Sequence, residues 1–389
     1  MSMTSAQAIQ AAMQQDAAIC AAIIQNCPIV RQRTATYTQV SNPYVNGVGT
    51  TINVPLTNVG LIRKLWVRVR ANLQQGAAET QTRTTFGPAN FLSQVIFQDL
   101  QNLVRHNTQG WHLSNVAAAK RQFPLGAAIT SDNSIGIGSN FGVCKAPAIV
   151  TAAANMDFMY EIPLAYSDTD LRGAVFAQVL NATMNLQLTI NPFLYVASGA
   201  DATFAMYQSS TAQLGKLNTY TIDVYQEYYD QLPRDQQGNY IKPNISLSTQ
   251  YSLLTTSQAV LAVNTDLSLF YQNLRTYMST FVIFDNGGTL NAGTDINTFT
   301  MQTANQMRLF SYDAIWASLF GGRTKINDDW QLGTYYFDHR AMPISTLAVG
   351  NVALVLNPSV VNANASVQLG YEYFQNQNTL NSSSSIPSN

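Results

Sequence analysis

The chain has 389 residues, a formal net charge of −1, 46% hydrophobic residues and only 11% charged ones. That length exceeds one core of ordinary size and suits two. The scarcity of charge and the lack of a long basic run disfavour direct coating of nucleic acid, which calls for a basic arm or stripe. Asn and Gln together outnumber the charged residues. Neutral polar groups are cheaper to desolvate than charges, so this composition suits a surface covered by neighbours.

Cys20, Cys27 and Cys144 form an odd set in a long chain, so no disulfide framework is expected and a reducing, intracellular site of synthesis fits best. The N-terminus lacks the positive start of a signal peptide, and no apolar run approaches the roughly 20 residues that span a bilayer. The first predicted element is a helix from Thr4 to Asn26, rich in Ala and Gln, capped by Thr4 or Ser5 and ended by Pro28. Ile9, Met13, Cys20, Ile23 and Ile24 share one face of it. That face suits docking on a neighbour or on the chain's own body. A position near a membrane surface is the sharper alternative, weakened because no Lys or Arg precedes Arg31.

Strand candidates follow. Leu65, Val67, Val69, Ala71 and Leu73 alternate with Lys64, Trp66, Arg68 and Arg70, predicting a half-buried strand with a basic outer face. Phe91 to Gln98 is another strand, and Trp111 to Arg121, between Gly110 and Pro124, reads as a helix on the flank of the sheet. Ser131 to Gly142 is a glycine-punctuated loop. Met156, Phe158, Tyr160 and Ile162 share a face, as do Met184, Leu186, Leu188 and Ile190, and then Tyr220, Ile222 and Val224.

The stretch Tyr228 to Pro243, YYDQLPRDQQGNYIKP, contains Pro233, Gly238 and Pro243 and cannot continue a sheet ladder, so it reads as a joint in which Leu232 to Pro243 is a surface connection with little burial. Beyond it the pattern restarts with strands at Leu274 to Phe284, Leu332 to Asp338, Val352 to Leu356 and Val367 to Tyr373, and a short helix at Ser311 to Phe320. The Asn/Ser-rich tail from Asn376 is expected to be mobile or ordered by partners. The expectation is an all-β chain with a few short helices, built as jelly-roll sandwiches. The divisions fall at 1–35 for the N-terminal helix and arm, 36–231 for a first body, 232–245 for a linker, 246–375 for a second body and 376–389 for a tail.

Catalytic signatures are missing: there is no Cys-x-x-Cys, His-Glu-x-x-His, Gly-x-Ser-x-Gly or Walker loop. Gly136 to Gly142 has the wrong spacing for a dinucleotide loop. His106, His112 and His339 lack the neighbours of a zinc site and read as hydrogen-bonded structural residues. Asp168 and Asp170 flank Thr169 and suit a turn better than a glycosidase pair. Phe284 to Asn297, FDNGGTLNAGTDIN, lacks calcium-loop spacing and reads as a rigid turn. No catalytic residue, cofactor or metal is expected.

Several motifs carry a family resemblance: FGPAN at Phe86 to Asn90 with GWHLSNVAAAK at Gly110 to Lys120, PLAYSDTDLRGAV at Pro163 to Val175, and YDQLP at Tyr229 to Pro233 with LST at Leu247 to Thr249. FDNGGTLNAGTDIN followed by TAN at Thr303 to Asn305, and the closing GYEYF at Gly370 to Phe374, complete the set. Spread in order over nearly the whole chain, they resemble the major capsid protein of tectiviruses, tailless double-stranded DNA phages with a membrane beneath the shell. The Ser311 to Trp330 region departs from the family pattern. The resemblance implies a double jelly roll, two eight-stranded antiparallel β-sandwiches side by side. It further implies a homotrimeric, pseudo-hexagonal capsomer that tiles an icosahedral shell over an internal membrane. The implied partners are the chain itself in trimer and facet contacts, penton, minor or cementing and membrane proteins of the virion, and the membrane surface through the N-terminal helix. Nucleic acid is not contacted directly. The implied location is the virion capsid, with synthesis in the bacterial host cytoplasm. The rival class is a tandem jelly-roll carbohydrate-binding protein or glycosidase, which would need an aromatic platform and a carboxylate pair in one cleft.

Overall fold

A computed structural model describes residues 5–39, 45–74, 80–120, 146–147, 149–179, 182–210, 214–243, 250–288, 290, 295–303, 308–313 and 334–375. Helix α1 (Ser5–Asn26) leads into the edge strand Ile29–Gln39. This strand pairs with Lys216–Tyr229, which pairs with Leu61–Gln74, which in turn pairs with Ala154–Pro163. All these pairings are antiparallel, and the alternation read from the sequence sets their register, with Val69 opposite both Phe158 and Ile222.

Val67, Val69, Phe158, Tyr160, Ile222 and Val224 pack against Ile52, Val54, Val95, Phe97, Leu186 and Leu188 of a second sheet to form the first core. The period is plain in Met184–Ile190, where buried and half-buried residues alternate without a break. In the second half, Phe299, Met301, Leu354 and Leu356 pack against Val282, Phe284, Val367, Leu369 and Tyr371.

The two sandwiches are not independent. A single nine-stranded sheet serves both, running through Thr334–Asp338, Arg275–Asp285, Ser366–Gln375, Tyr251–Ala259, Val104–Thr108, Leu92–Gln98, Met184–Ile190 and Thr50–Leu56, with Ile344–Ser345 beside Arg275–Asp285. The halves join where Leu253 and Leu254 run parallel to His106 and Asn107. The expected pair of β-sandwiches side by side is present, and the two share this sheet.

Helix α2 (Gly110–Lys120) forms where Trp111 to Arg121 predicts one, but it is buried along nearly its whole length rather than riding on a flank. Its neighbours explain this. His112 meets Phe281 edge-on with ring centroids 5.6 Å apart, so α2 covers the face of the nine-stranded sheet that the second core does not use. Arg275–Asp285 is therefore buried on both faces over most of its length, and Phe281 belongs to the first core although it lies in the second half of the chain.

Other local expectations shift. The motif FGPAN makes a buried 3-10 turn, Gly87–Phe91, ahead of the strand Leu92–Gln98. Arg308–Asp313 is a strand paired with Ile296–Thr303, so a helix does not start at Ser311; the rest of that expected helix, the loop Ser131 to Gly142 and the tail from Asn376 lie outside the described residues.

Candidate functional site

Helix α1 and the junction between the sandwiches are the two places where the sequence does more than fill a core. Cys20 and Ile23 of α1, with Cys27, are buried against Leu61, Leu171, Ala174, Phe176, Tyr229 and Leu232, and Ile24 is half-buried beside them. The apolar face expected from the sequence is thus captured at its C-terminal end by the chain's own body. The side chains of Ile9 and Met13 lie outside the described residues, although both positions are helical. Burial, and then the Asp16 carboxylate, push the Cys20 thiol up to about 11, which makes it an inert packing group. The joint also does more than connect. Leu232 is buried in the α1 cluster, while Asp235 closes the exposed turn beyond by accepting from the backbone N–H of Gln237 and Asn239. Among the described residues no helix is long and apolar enough to cross a membrane.

The strand Leu61–Gln74 does carry a row of cations outward, but acids match them. Arg63 donates to Glu227 at 2.6 Å, Lys64 lies 2.7 Å from Glu161, Arg68 holds Asp157 through two nitrogens, and Arg70 reaches Asp223 at 2.6 Å. Burial opposes ionisation of Glu227. Its hydrogen bond from Arg31 and the charge of Arg63 outweigh this and hold the carboxyl below its ordinary value. Arg31, Arg63, Lys64, Trp66, Lys120 and Asp168 line a cleft of about 460 Å³ on this side of the molecule. Asp168 pairs with Lys64, and Asp170 accepts from Arg172 and caps the turn, so neither carboxylate is arranged for catalysis.

At the junction, Lys120 at the end of α2 meets Glu372 at 2.6 Å and donates to the Tyr251 hydroxyl at 2.8 Å. Glu372 also accepts from Tyr251 and Ser279, each at 2.8 Å. The Lys120 ammonium lies 4.1 Å from the Tyr251 ring centroid and 4.5 Å from that of Tyr166. Burial lowers the Lys120 pKa, and the Glu372 charge partly offsets it. One charge from each half is thus desolvated, and the two neutralise each other across the junction. Nearby, the His106 Nδ1 accepts the Leu253 N–H at 3.0 Å, and Arg105 donates to the Tyr251 carbonyl at 3.2 Å. His112 shares a 2.7 Å hydrogen bond with Thr108. All three histidines are buried. Burial pushes His112 down to about 3 and His339 down to about 4, and lowers His106 too.

Sequence patterning missed Lys120, Glu372 and Tyr251. A signal was present in GYEYF, where Tyr371 and Tyr373 face one core while Gly370, Glu372 and Phe374 occupy the other face. An acid between apolar neighbours on a doubly covered strand needs a buried partner. No group of three or more metal-ligating side chains occurs among the described residues.

Two sandwiches sharing a sheet, with opposite charges from the two halves paired at their junction, define a double jelly-roll fold. Solved viral capsid structures share this fold. A crystal structure of the Sulfolobus turreted icosahedral virus major capsid protein matches with a TM-score of 0.60 over 90% of this chain and 97% of that one, at 12% identity. The PBCV-1 virus capsid matches with a TM-score of 0.57 over 90% and 94%, at 10% identity. The chain belongs to the P3 major capsid protein family: the N-terminal family model matches residues 1–232 and the C-terminal one residues 248–388. It is 40% identical over 362 residues to the major capsid protein P3 of Enterobacteria phage PRD1, a tectivirus, covering 92% of this chain and 89% of that one. It is a structural capsid protein, and family membership decides against the carbohydrate-binding or glycosidase alternative.

Proposed function

We propose that three copies of this chain form a homotrimeric, pseudo-hexagonal capsomer, and that these capsomers tile an icosahedral shell over an internal membrane. The observation that carries this is the pair of sandwiches fused through one sheet in a chain of the P3 family. Three such subunits give six lobes, the outline that packs on a facet. In this scheme residues 36–231 and 246–375 are the two lobes, 232–245 the linker, and 1–35 and 376–389 the segments that reach neighbours. Subunit and facet contacts fall on exposed apolar side chains of the second sandwich such as Leu261, Phe270 and Met342. Penton, minor and membrane proteins of the virion complete the partners, the genome is not touched, and synthesis is in the host cytoplasm.

Helix α1 serves assembly. Its C-terminal turns, with Cys20, Ile23 and Ile24, anchor it, and the stretch bearing Ile9 and Met13 meets a neighbouring capsomer or the membrane surface. Native mass spectrometry of the purified chain at micromolar concentration tests the trimer, and chiefly monomer would overturn it. Removing residues 1–13 is expected to leave trimers intact and impair ordered facets or membrane contact. Unaltered particles from the truncated chain would remove α1 from assembly.

A further inference from the structure

We propose that copies of this chain join by a parallel strand pairing, Ile29–Gln39 of one copy against Arg308–Asp313 of the next, with Arg31 beside Phe310. This seam, which rests on the trimer proposed above, is the surface that holds its copies together. The nine-stranded sheet is a composite: four strands of the second sandwich, ending at Tyr251–Ala259, meet four of the first, ending at Val104–Thr108. Each sandwich has one further four-stranded run, and these two repeat the halves of the composite with the sandwiches exchanged. Ile29–Gln39 opens its half of the chain and lies at the end of its run beside the last strand of that half, Lys216–Tyr229, as Tyr251–Ala259 lies beside Ser366–Gln375. Arg308–Asp313 ends the other run beside Ile296–Thr303, as Val104–Thr108 lies beside Leu92–Gln98.

Bulges in the ladders fix the correspondence residue by residue. Glu227 and Glu372 are both buried, and the neighbouring strand skips one residue just past each, Arg63 in one case and Met278 in the other. Across the opposite ladder Glu227 faces Arg31 and Glu372 faces Leu253, so Arg31 corresponds to Leu253. At the other edge the ladder skips Arg105 between the partners of Phe97 and Gln98, and Leu309 between those of Met301 and Gln302. His106 faces Phe97 and Phe310 faces Met301, so Phe310 corresponds to His106. Within the chain Leu253 runs parallel to His106, and Leu254 to Asn107. The same seam between copies sets Arg31 against Phe310 and Gln32 against Ser311. Thr34 is bulged out of the ladder with Lys216–Tyr229, which confines the seam to the residues before it.

Both edges are open. Among the described residues, neither the outer edge of Ile29–Gln39 nor that of Arg308–Asp313 has a ladder partner. The side chains of Arg31 and Arg33 are 65% and 59% exposed. No residue from Pro28 to Thr38 is buried, whereas Tyr251, Ser252 and Leu253 of the corresponding strand are. A row of unpaired N–H and C=O groups along such an edge is a template for another strand. The outer faces differ in the same way. Helix α2 covers the second sandwich at Phe281 and Gly370, while the corresponding face of the first is open and holds the cleft lined by Arg31, Arg63 and Trp66. The contact joins unlike edges, so it builds a ring and not a two-fold pair. In a ring of three copies, seams within chains alternate with seams between them, and all six sandwiches meet their neighbours alike.

Thiol crosslinking of the full chain tests the seam. The variant carrying both Gln32→Cys and Ser311→Cys is purified as the oligomer, treated with a short bis-maleimide and run on a denaturing gel. Covalent dimer and trimer are expected from it, and from neither single variant nor the wild type, whose own cysteines serve as the control. Hydrogen exchange on the wild-type oligomer gives a second reading without any substitution. Those amides of residues 29–33 that do not bond to Lys216–Tyr229 are expected to be as protected as the amides of 251–254. A trimer by native mass spectrometry that yields no covalent species, or whose 29–33 amides exchange like an open edge, overturns the seam and leaves the trimer standing. Chiefly monomer overturns the trimer, and the seam with it.

Discussion

The imidazole of His112 lies against the bare α-carbon of Gly370: a Cβ on Gly370 would stand 2.3 Å from Cδ2 and 2.7 Å from Nε2. Helix α2 reaches the nine-stranded sheet only because this position lacks a side chain. Gly370→Ala is expected to cost about 3 kcal/mol or more, because the ring is packed by Phe281 and Trp111 and has nowhere to move. Thermal melting of Gly370→Ala alone and combined with His112→Ala measures it. The second change should recover part of the loss, and strictly additive losses would mean the two do not meet.

The charge pair at the junction gives a second expectation. Lys120→Met leaves Glu372 buried without its cation and is expected to cost about 3–5 kcal/mol. Replacing both, as Lys120→Met with Glu372→Leu, removes the stranded charge and should cost less than the single change. A double-mutant cycle by denaturant unfolding checks the sign of the coupling.

The buried histidines set an acid limit. Their folded pKa values lie below the unfolded value of 6.5, so the unfolded chain binds more protons and stability falls as pH drops below 6.5. With His112 at about 3 and His339 at about 4, the two together remove about 4 kcal/mol between pH 8 and pH 5. Unfolding titrations across that range should show at least that loss, and because His106 is lowered as well, His339→Gln should flatten the slope by roughly a third.

Insertions and core changes should separate cleanly. Gly238, at φ +86° with open space around it, sits in the exposed turn closed by Asp235. Two or three Gly/Ser residues placed beside it are expected to cost less than about 1 kcal/mol. Phe281→Ser, at the contact with His112 and Tyr336, should cost about 3–5 kcal/mol by cavity and lost packing. Melting temperatures of the two variants decide between them.

What the sequence made legible was periodic. Alternation in Met184–Ile190 and Leu61–Gln74, and the turn chemistry between such runs, led to the strands and the sandwiches. What it hid was long-range: Leu253 lies beside His106 across 147 residues of chain, and no local pattern specifies that parallel seam. Helix α2 shows the same limit, since Gly110 and Pro124 mark its ends but not the sheet that buries it. The basic face of Leu61–Gln74 was visible, whereas its acids Glu227, Asp223 and Asp157 come from neighbouring strands and only the register brings them opposite. For α1 the pattern pointed to Cys20 and Ile23, yet Leu232, which receives them, looked like part of a bare connection.

The strand order has a consequence for how the subunit is made. Lys216–Tyr229 sits between Ile29–Gln39 and Leu61–Gln74, and Ser366–Gln375 sits between Tyr251–Ala259 and Arg275–Asp285. In each half the strand synthesised last occupies an interior place in its sheet. A nascent chain therefore cannot complete the first sheet until residue 229 has emerged, nor the second until residue 375 has, and contacts of such sequence separation form slowly. Chains cut short by interrupted translation lack the middle of a sheet and so cannot fold to a surface that resembles the finished subunit. Topology alone thereby bars from the finished fold any chain that stops short of Ser366–Gln375.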